Sequence, residues 1–372
     1  MHKLIIGYGN TTVDLLSTKD PNQLYQGKPI NGMRMPGGIM NVGKGWLAFF
    51  PNDNLRYRVT MVAKYGNDEF SQVIEDALRK EKFDRRFIER LDSESRVYDI
   101  GLTDPKNPDI KRRLSAEVLQ STPPIDVTPY LNQAAIVFTQ SFATYSESLV
   151  ADKIIEIKRT VYNMNKLTAH DMNIRQASLD ALQGKGKAVS PTEVKQRQRD
   201  LKDKVERGLR VLRILKTNAE EAKVLDDSFQ TKKPIKDLHL ENSELPKIAN
   251  SIMTTYSNLA MLVISNGEKG GYFMTRDFEI EYEALVLPRF INSLGCGDGL
   301  DAGITAGKIV GIKDSGIAAL GPLTAALYTP FPSGYPEHLD NRILLRTIEE
   351  KRDYCEKIGA DPDEILDKLR SV

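Results

Sequence analysis

The chain has 372 residues, 40% of them hydrophobic and 28% charged, which is the composition of a folded globular protein rather than of a disordered or fibrous one. A formal net charge of +1 argues against nucleic acid or an acidic membrane surface as a partner, and two cysteines with four histidines are too few for a disulfide framework or a zinc cluster. We expect a cytoplasmic protein with one main domain and a minor one.

Short apolar runs recur along the chain, and most of them precede an amphipathic helical pattern. The predicted strands are residues 4–6, 59–63, 134–138, 167–169, 212–215 and 261–264, and the predicted helices are residues 68–81, 146–163, 219–225 and 299–310. No run approaches the ~18 apolar residues of a membrane span. The alternation predicts an α/β fold with a mostly parallel central sheet and helices on both faces.

Two polar, turn-rich stretches interrupt this alternation, residues 15–35 and 93–122, and we assign them to a small β-rich lid. The main domain then comprises residues 1–14, 36–92 and 123–330. Charged helical sequence follows a Pro/Gly turn region, so residues 331–372 are predicted to form a C-terminal helical extension.

The segment Asn292–Gly299 reads Asn-Ser-Leu-Gly-Cys-Gly-Asp-Gly and leads into a helical pattern. A glycine-bounded turn at a helix start directs successive N–H groups outward, and with the helix dipole it makes an anion hole. Asp298 at its rim could take a proton from an attacking hydroxyl while the amides hold a phosphoryl group. The segment therefore predicts phosphoryl transfer at one turn of the chain.

This segment resembles the C-terminal signature Asp-Thr-x-Gly-Ala-Gly-Asp of the PfkB, or ribokinase-like, carbohydrate kinase family. The resemblance implies the three-layer ribokinase-like fold, ATP and Mg²⁺ as cofactors, Asp298 as catalytic base, and an anion hole at Gly295, Cys296 and Gly297. The pair Asn292-Ser293 departs from Asp-Thr, which in many relatives shapes a monovalent-cation site, so we predict weak potassium dependence.

Two N-terminal elements extend the resemblance. Pro36–Asn41, Pro-Gly-Gly-Ile-Met-Asn, is similar to the family's Gly-Gly…Asn substrate element but is one residue short. It implies that Gly37, Gly38 and Asn41 bind substrate, because glycines let the backbone approach a sugar closely. Asp14 follows the first strand, where the family commonly has an acid that holds substrate hydroxyls.

Later motifs fall in the family's order. The segment from His170 to Arg175 resembles an Asp-x-Asn-x-Arg strand end, which implies that Asn173 binds the nucleotide. Asn218 and Glu221 match an Asn-x-x-Glu motif that organises Mg²⁺ through water, a role suited to oxygen ligands. The loop after residues 261–264 resembles the family's nucleotide loop and implies roles for the three residues Asn266, Gly267 and Gly270.

Purely structural explanations compete with these roles. Asp298 could cap the following helix, Asn218 and Glu221 could form a capping box, and Cys296 could be a small residue in place of alanine. The segment Gly38–Gly45 almost spells a P-loop, but Gly45 lacks the required hydroxyl and residues 33–36 are not expected to form a strand.

The predicted activity is ATP-dependent phosphorylation of a hydroxyl on a small sugar or sugar-like molecule. An adenosine-type nucleoside kinase and a catalytically silent ligand-binding relative remain alternatives. Lys111-Arg112-Arg113 in the lid could hold a substrate phosphate, so the acceptor could be a sugar, sugar acid, sugar phosphate or nucleoside. Since relatives include monomers and dimers, a homodimer formed through the lid is a further hypothesis.

Overall fold

The structure is a computed structural model that describes residues 2–9, 11–17, 33–101, 109–114, 125–140, 148–173, 191–229, 235, 238–331 and 335–372. The chain forms two units, one made of residues 1–125 and 285–372 and the other of residues 126–284. The domains predicted from the sequence divide the chain differently, because they separate the lid from the main domain. Those domain bounds stay a prediction. Each unit is described by itself.

The N-terminal half of the first unit contains strands and two helices. In chain order they are β1 (Lys3–Tyr8), β2 (Thr11–Ser17), β3 (Met33–Gly38), α1 (Ile39–Phe49), β4 (Tyr57–Tyr65), α2 (Ser71–Glu81), β5 (Asp84–Arg90), β6 (Arg96–Gly101) and β7 (Asp109–Leu114).

The strand β4 lies between β1 and β5 and is parallel to both. Residues 59–63 of β4 are buried, as expected for a parallel strand that is covered on both faces. The helix predicted at residues 68–81 begins only at Ser71, because the Asp68 carboxylate accepts hydrogen bonds from the amides of Phe70 and Ser71. The predicted strands at residues 4–6 and 59–63 are confirmed.

A separate four-stranded sheet has the order β3-β2-β6-β7. The pair β2–β6 is parallel, whereas β2–β3 and β6–β7 are antiparallel. Its strands include parts of both predicted lid segments, but β2 starts at Thr11 and β3 ends at Gly38, outside residues 15–35. The expectation that residues 33–36 form no strand was wrong: they pair with β2 despite Pro36, whose missing N–H is tolerated on this edge strand.

The second unit alternates strands and helices. Its elements are β8 (Ala134–Gln140), α3 (Ser148–Asn163), β9 (Leu167–Asp171), α4 (Pro191–Leu209), β10 (Ile214–Asn218), α5 (Ala219–Asp226), α6 (Leu245–Thr255), β11 (Met261–Ser265), β12 (Gly271–Thr275) and β13 (Glu279–Tyr282). The strands β8 to β11 are mutually parallel, and β12 and β13 add antiparallel neighbours. An aliphatic core that includes Leu215, Leu245 and Leu262 is buried in this unit.

The C-terminal part of the first unit is helical: α7 (Cys296–Val310), α8 (Asp314–Ala326), α9 (Asn341–Glu350), α10 (Arg352–Lys357) and α11 (Pro362–Arg370). Asn341 donates a hydrogen bond to the carbonyl oxygen of Ala48 in α1, and Asn54 donates to the carbonyl oxygen of Val372. Hydrogen bonds thus connect residues 335–372 to the N-terminal half of their own unit. Within the described ranges, no helix is long and apolar enough to cross a membrane.

The predicted fold class is confirmed. Within each unit most strand pairs of the nine-stranded sheet are parallel and alternate with helices, and the first unit also contains the separate four-stranded sheet.

Candidate active site

The predicted anion hole is the N-terminus of α7. Gly295 precedes the helix with φ 74°, a left-handed conformation that glycine adopts without a steric penalty. The Cys296 amide donates to the carbonyl oxygen of Ser293, and the Gly299 amide donates to that of Gly295. The amides of Gly297 and Asp298 lie between these two bonds, at the positive end of the helix dipole. The predicted anion hole thus lies at the first turn of α7, where backbone N–H groups and the helix dipole favour negative charge.

The carboxylate of Asp298 is held by a residue from the other predicted motif. Asn41 Nδ2, on α1, donates a 2.9 Å hydrogen bond to Asp298 Oδ2 across 257 positions of the sequence. Only the nitrogen of an amide can donate to a carboxylate, which fixes the orientation of the Asn41 side chain. Asp298 is the third residue of α7 and Gly295 is its N-cap, so Asp298 is not the capping residue of this helix.

Asn41 has a second polar atom at this site. The side chain is 4% exposed, and among the described residues no group donates to its Oδ1. A buried acceptor without a donor costs free energy, roughly 1–3 kcal/mol, unless a ligand or a water supplies the hydrogen bond. Asn41 Oδ1 is therefore suited to a ligand hydroxyl.

Sequence reasoning missed a second carboxylate, that of Asp301. It lies one helical turn after Asp298 and is 2% exposed, and carboxylate oxygens of the two residues lie within 4.8 Å of each other. The i, i+3 spacing on a helix that begins at residue 296 was the signal that could have identified it. Two carboxylates this close make the local field strongly negative.

Cys296 is not an activated thiol. Burial and then the negative charge of Asp298 raise the pKa of the Cys296 thiol to about 12. The helix N-terminus, which by itself would lower a thiol pKa, is outweighed. A buried, protonated thiol fits the interpretation of Cys296 as a small neutral residue in the turn.

The predicted substrate residues Gly37 and Gly38 end β3 and lead directly into α1. Gly37 pairs with Thr12 of β2, and a Cβ atom at residue 37 would collide with the Asp14 carboxylate. Asp14 is 6% exposed and accepts a hydrogen bond from the Thr12 hydroxyl, 3.2 Å long. The glycine pair thus brings the chain against Asp14 and starts the helix that carries Asn41.

The departure at residue 292 has a structural role. Asn292 Oδ1 accepts from the Leu294 amide at 2.8 Å, and Asn292 Nδ2 donates to the Phe331 carbonyl oxygen at 3.2 Å. The side chain therefore closes the turn before Gly295 and ties it to the start of the C-terminal segment.

In the second unit, Asn218 and Glu221 form the capping box of α5. Asn218 Oδ1 accepts from the Glu221 amide, and Glu221 Oε2 accepts from the Asn218 amide and from the Thr217 hydroxyl. Glu221 is 3% exposed. These contacts occupy the two oxygens turned towards the backbone, so the pair fits an indirect, water-mediated role towards a cation better than direct coordination.

The other predicted nucleotide residues of this unit lie after strand ends. Asn173 follows β9 with a positive φ of 41°, and Asp171 at the end of β9 pairs with Lys216 at 3.1 Å in a buried contact. Ile174 and Arg175 of the same motif lie outside the described residues.

The loop after β11 is a tight turn. Asn266 Nδ2 donates to the Leu240 carbonyl oxygen and to Asn242 Oδ1, and the backbone of Asn266 pairs with Gly270. A Cβ atom at Gly270 would collide with the backbone of Tyr282, whereas Gly267 faces open space. Gly270 is thus required by packing, and Gly267 leaves room beside the loop.

The sequence pattern described as "pfkB family carbohydrate kinase" matches residues 53–329, well over half of the chain. The chain belongs to this family. The family predicted from the sequence motifs is confirmed. Kinases of this family are phosphotransferases, and this is the general class of activity to which the protein belongs.

Solved structures with the same fold include several kinases of this type. The fructokinase with bound ATP from Xylella fastidiosa is 14% identical, with a TM-score of 0.70 and coverage of 95% of this chain and 100% of that one. A putative ribokinase II in complex with ATP and Mg²⁺ from E. coli is 13% identical, with a TM-score of 0.70 and coverage of 94% and 100%.

A nucleoside kinase in complex with inosine from Burkholderia thailandensis is 15% identical, with a TM-score of 0.62 and coverage of 94% and 98%. At these identities the likeness establishes the fold alone. The comparison with curated proteins finds no match.

Within the first unit, then, the pfkB-family chain joins its predicted base to the predicted Gly-Gly…Asn element by a direct hydrogen bond. Asp14 lies against Gly37. The predicted nucleotide residues Asn173, Asn218, Glu221, Asn266, Gly267 and Gly270 all belong to the second unit.

Proposed function

We propose that this protein transfers the γ-phosphate of ATP to a hydroxyl of a small, neutral sugar-like molecule, with Asp298 as the catalytic base. The observation that carries the proposal is the 2.9 Å hydrogen bond between Asn41 and Asp298, since it joins two separately predicted motifs. A helix cap would not need a residue from α1 to orient its carboxylate.

In the proposed reaction Asp298 accepts the proton of the acceptor hydroxyl. The freed oxygen forms a bond to the γ-phosphorus, the bond from that phosphorus to the bridging oxygen breaks, and ADP leaves. The amides of Gly297 and Asp298, at the N-terminus of α7, would stabilise the charge on the transferring phosphoryl group. Asn41 keeps the carboxylate of Asp298 in one orientation throughout.

Acceptor binding is proposed for Asn41, Asp14 and the backbone at Gly37 and Gly38. The buried Oδ1 of Asn41 needs a hydrogen-bond donor, and a hydroxyl group of the phosphate-accepting substrate can supply it. The carboxylate of Asp14 can accept two hydroxyl hydrogen bonds from a polyol.

Nucleotide binding is proposed for the predicted residues of the second unit. Two of the structurally similar kinases were solved with ATP, one of them with Mg²⁺ as well. Bound Mg²⁺ would neutralise the charge of the phosphates. Glu221 and Asn218 would orient water around that ion, a role that their buried capping box leaves open. Gly267, which faces open space, would let the nucleotide approach the loop after β11.

The negative field of Asp298 and Asp301 favours neutral acceptors over anionic ones, so sugars, inositols and nucleosides rank ahead of sugar acids and sugar phosphates. A fructokinase and a nucleoside kinase share the fold at similar identity, so the fold alone does not choose between a sugar and a nucleoside.

The test is a coupled ADP-release screen with MgATP over free sugars, sugar acids, sugar phosphates, inositols and nucleosides. We expect turnover with a neutral acceptor that carries a hydroxyl group. Mass spectrometry of the product then checks that this acceptor has been phosphorylated. Absence of turnover over all five classes, in protein that binds ATP, would favour the silent ligand-binding alternative. Preference for a sugar phosphate would contradict the neutral-acceptor part of the proposal.

A further inference from the structure

Tyr328 contacts the main chain of Asn41, the residue whose side chain holds Asp298. It follows α8 in a turn, is 0% exposed, and its hydroxyl donates a 2.7 Å hydrogen bond to the carbonyl oxygen of Asn41. Asn41 is thus fixed twice: its main chain is held by Tyr328, and its side chain holds Asp298. No sequence motif includes Tyr328, and its role became visible only in the packing.

Glycines on two helices make room for the side chain of Tyr328. On α1, a Cβ atom at Gly45 would lie 2.5 Å from the Tyr328 hydroxyl oxygen. On α7, a Cβ atom at Gly299 would lie 2.6 Å from Tyr328 Cδ2 and 2.8 Å from Cε2. Atoms of real side chains do not approach this closely, so Gly299 leaves room for the ring and Gly45 leaves room for the hydroxyl. Gly45 also leaves room for Ala302 of α7, whose Cβ would lie 2.5 Å from a Cβ at residue 45.

The two glycines occupy related positions. Gly45 is one turn after Asn41 on α1, and Gly299 immediately follows Asp298 on α7. Gly45 is also the residue that occupies the position of the Ser or Thr required by a P-loop. A Cβ atom at residue 45 would lie 2.5 Å from both the Tyr328 hydroxyl oxygen and Ala302 Cβ, so a larger residue would push the hydroxyl and α7 away from α1.

The hydroxyl of Tyr328 keeps its proton at neutral pH. Burial is the larger cause and the negative charge of Asp298 the next, and together they raise the pKa of Tyr328 well above its usual value. A phenol that stays protonated remains able to donate to the Asn41 carbonyl oxygen at the pH of an assay.

We propose that Tyr328 is a positioning residue, whose ring forms a wedge between α1 and α7 and whose hydroxyl, by holding the carbonyl oxygen of Asn41, sets the separation of Asn41 and Asp298. The structural part of this inference stands on the packing alone. Its kinetic part rests on the proposed function, since an effect on turnover requires that Asp298 act as the base.

The structural test is a crystal structure of Tyr328→Phe beside one of the unsubstituted protein. The substitution removes one oxygen and leaves the ring in place. We expect the distance from Asn41 Nδ2 to Asp298 Oδ2 to lengthen from 2.9 Å to beyond the ~3.5 Å limit of a hydrogen bond. An unchanged distance would overturn the proposal, whatever the activity.

The kinetic test uses the acceptor that the screen identifies. Tyr328→Phe should lower kcat about 10- to 100-fold, the cost of a misplacement of roughly 1 Å, with KM for ATP unchanged. In the background of Asp298→Asn the same substitution should have no further effect on kcat, because it acts through that carboxylate. Additive losses in the double variant, or an unchanged kcat in Tyr328→Phe, would overturn the positioning role.

Controls separate this role from general loss of a buried hydroxyl. Tyr65→Phe removes a hydroxyl from another buried tyrosine, which bonds Glu75 instead, and should leave kcat unchanged. If Tyr328→Phe fails to fold, Gly299→Ala displaces the ring instead, because its Cβ would lie 2.6 Å from Tyr328 Cδ2. Gly307→Ala on the same helix is the matched control, because the atoms nearest to its Cβ belong to Ile317, at 3.1 Å, and Leu320, at 3.3 Å. Equal kcat in Gly299→Ala and Gly307→Ala would contradict the wedge.

The two hypotheses fail in different ways. If the proposed function is wrong, the unsubstituted protein turns over no acceptor, and the crystal structures still decide whether Tyr328 sets the Asn41–Asp298 distance. If only the positioning role is wrong, the unsubstituted enzyme is active and Tyr328→Phe matches it.

Discussion

Lys44 Nζ lies 2.6 Å from Glu81 Oε2, and each side chain of this ion pair is only 8% exposed. The pair joins α1, the helix of Asn41, to the last residue of α2. Lys44 is also the lysine of the apparent P-loop. Its ammonium group is paired with Glu81 in the interior and is therefore not available to bind a phosphate.

Lys44→Met should destabilise the first unit by about 3–5 kcal/mol, because it leaves the carboxylate of Glu81 buried without its cation. The double variant Lys44→Met/Glu81→Leu should recover most of that loss. Urea unfolding followed by the fluorescence of Trp46, the only tryptophan and a buried residue of α1, measures both. The control Arg346→Met breaks an exposed pair with Glu350 and should cost less than about 1 kcal/mol.

Asp298→Asn should lower kcat by about 10²- to 10⁴-fold with little change in KM for ATP, because the amide keeps the size of the side chain but cannot accept the proton. The oxygen of the new amide can still accept from Asn41 Nδ2, so the fold should be retained. Asp340→Asn is the matched control, since Asp340 is a true N-cap that accepts from the Ile343 amide. Near-normal kcat in folded Asp298→Asn would remove Asp298 as the base.

Glu221→Gln should raise the Mg²⁺ concentration needed for half-maximal rate and lower turnover, because a neutral amide orients hydrated cations less strongly. Glutamine still completes a capping box, so circular dichroism should be unchanged. Glu244→Gln alters a comparable box, at an exposed turn before α6, and should have no effect on the Mg²⁺ titration. Identical titrations for the two variants would place Glu221 outside the site.

Turnover should depend weakly on potassium. The Asn292 side chain bonds the Leu294 amide and the Phe331 carbonyl oxygen, so the turn before Gly295 is held by a neutral amide. Assays in potassium, sodium and tetramethylammonium chloride at equal ionic strength measure the dependence. A large, potassium-specific activation would show that this loop binds the ion in spite of Asn292.

Thiol chemistry should be slow in the native protein. Burial raises the pKa of the Cys296 thiol to about 12 and that of the Cys355 thiol to about 11. A raised thiol pKa means that the neutral form persists as pH rises through 8, where unfolded cysteines already ionise in part. We expect Ellman's reagent at pH 8 to label neither thiol promptly in the native state and both in urea, whereas rapid native labelling would indicate an activated cysteine.

Local pattern was sufficient for most of the secondary structure. The predicted strands of the parallel sheets and the helices after them were found at or within a few residues of their predicted positions, because burial period and turn residues are properties of short segments. Residues 33–36 were an exception, because they were not expected to form a strand. Proline is disfavoured in strands, but pairing with β2 outweighs that local preference.

The family and the residue types of its motifs also followed from the sequence, since Gly295, Gly297 and Asp298 are adjacent in the chain. What only tertiary structure decided were the relations between distant segments. The contact of Asn41 with Asp298, the wedge of Tyr328 between two glycines, and the pairing of Lys44 with Glu81 all depend on how α1, α2 and α7 pack. Such contacts join residues tens to hundreds of positions apart, and no local periodicity encodes a distance between helices.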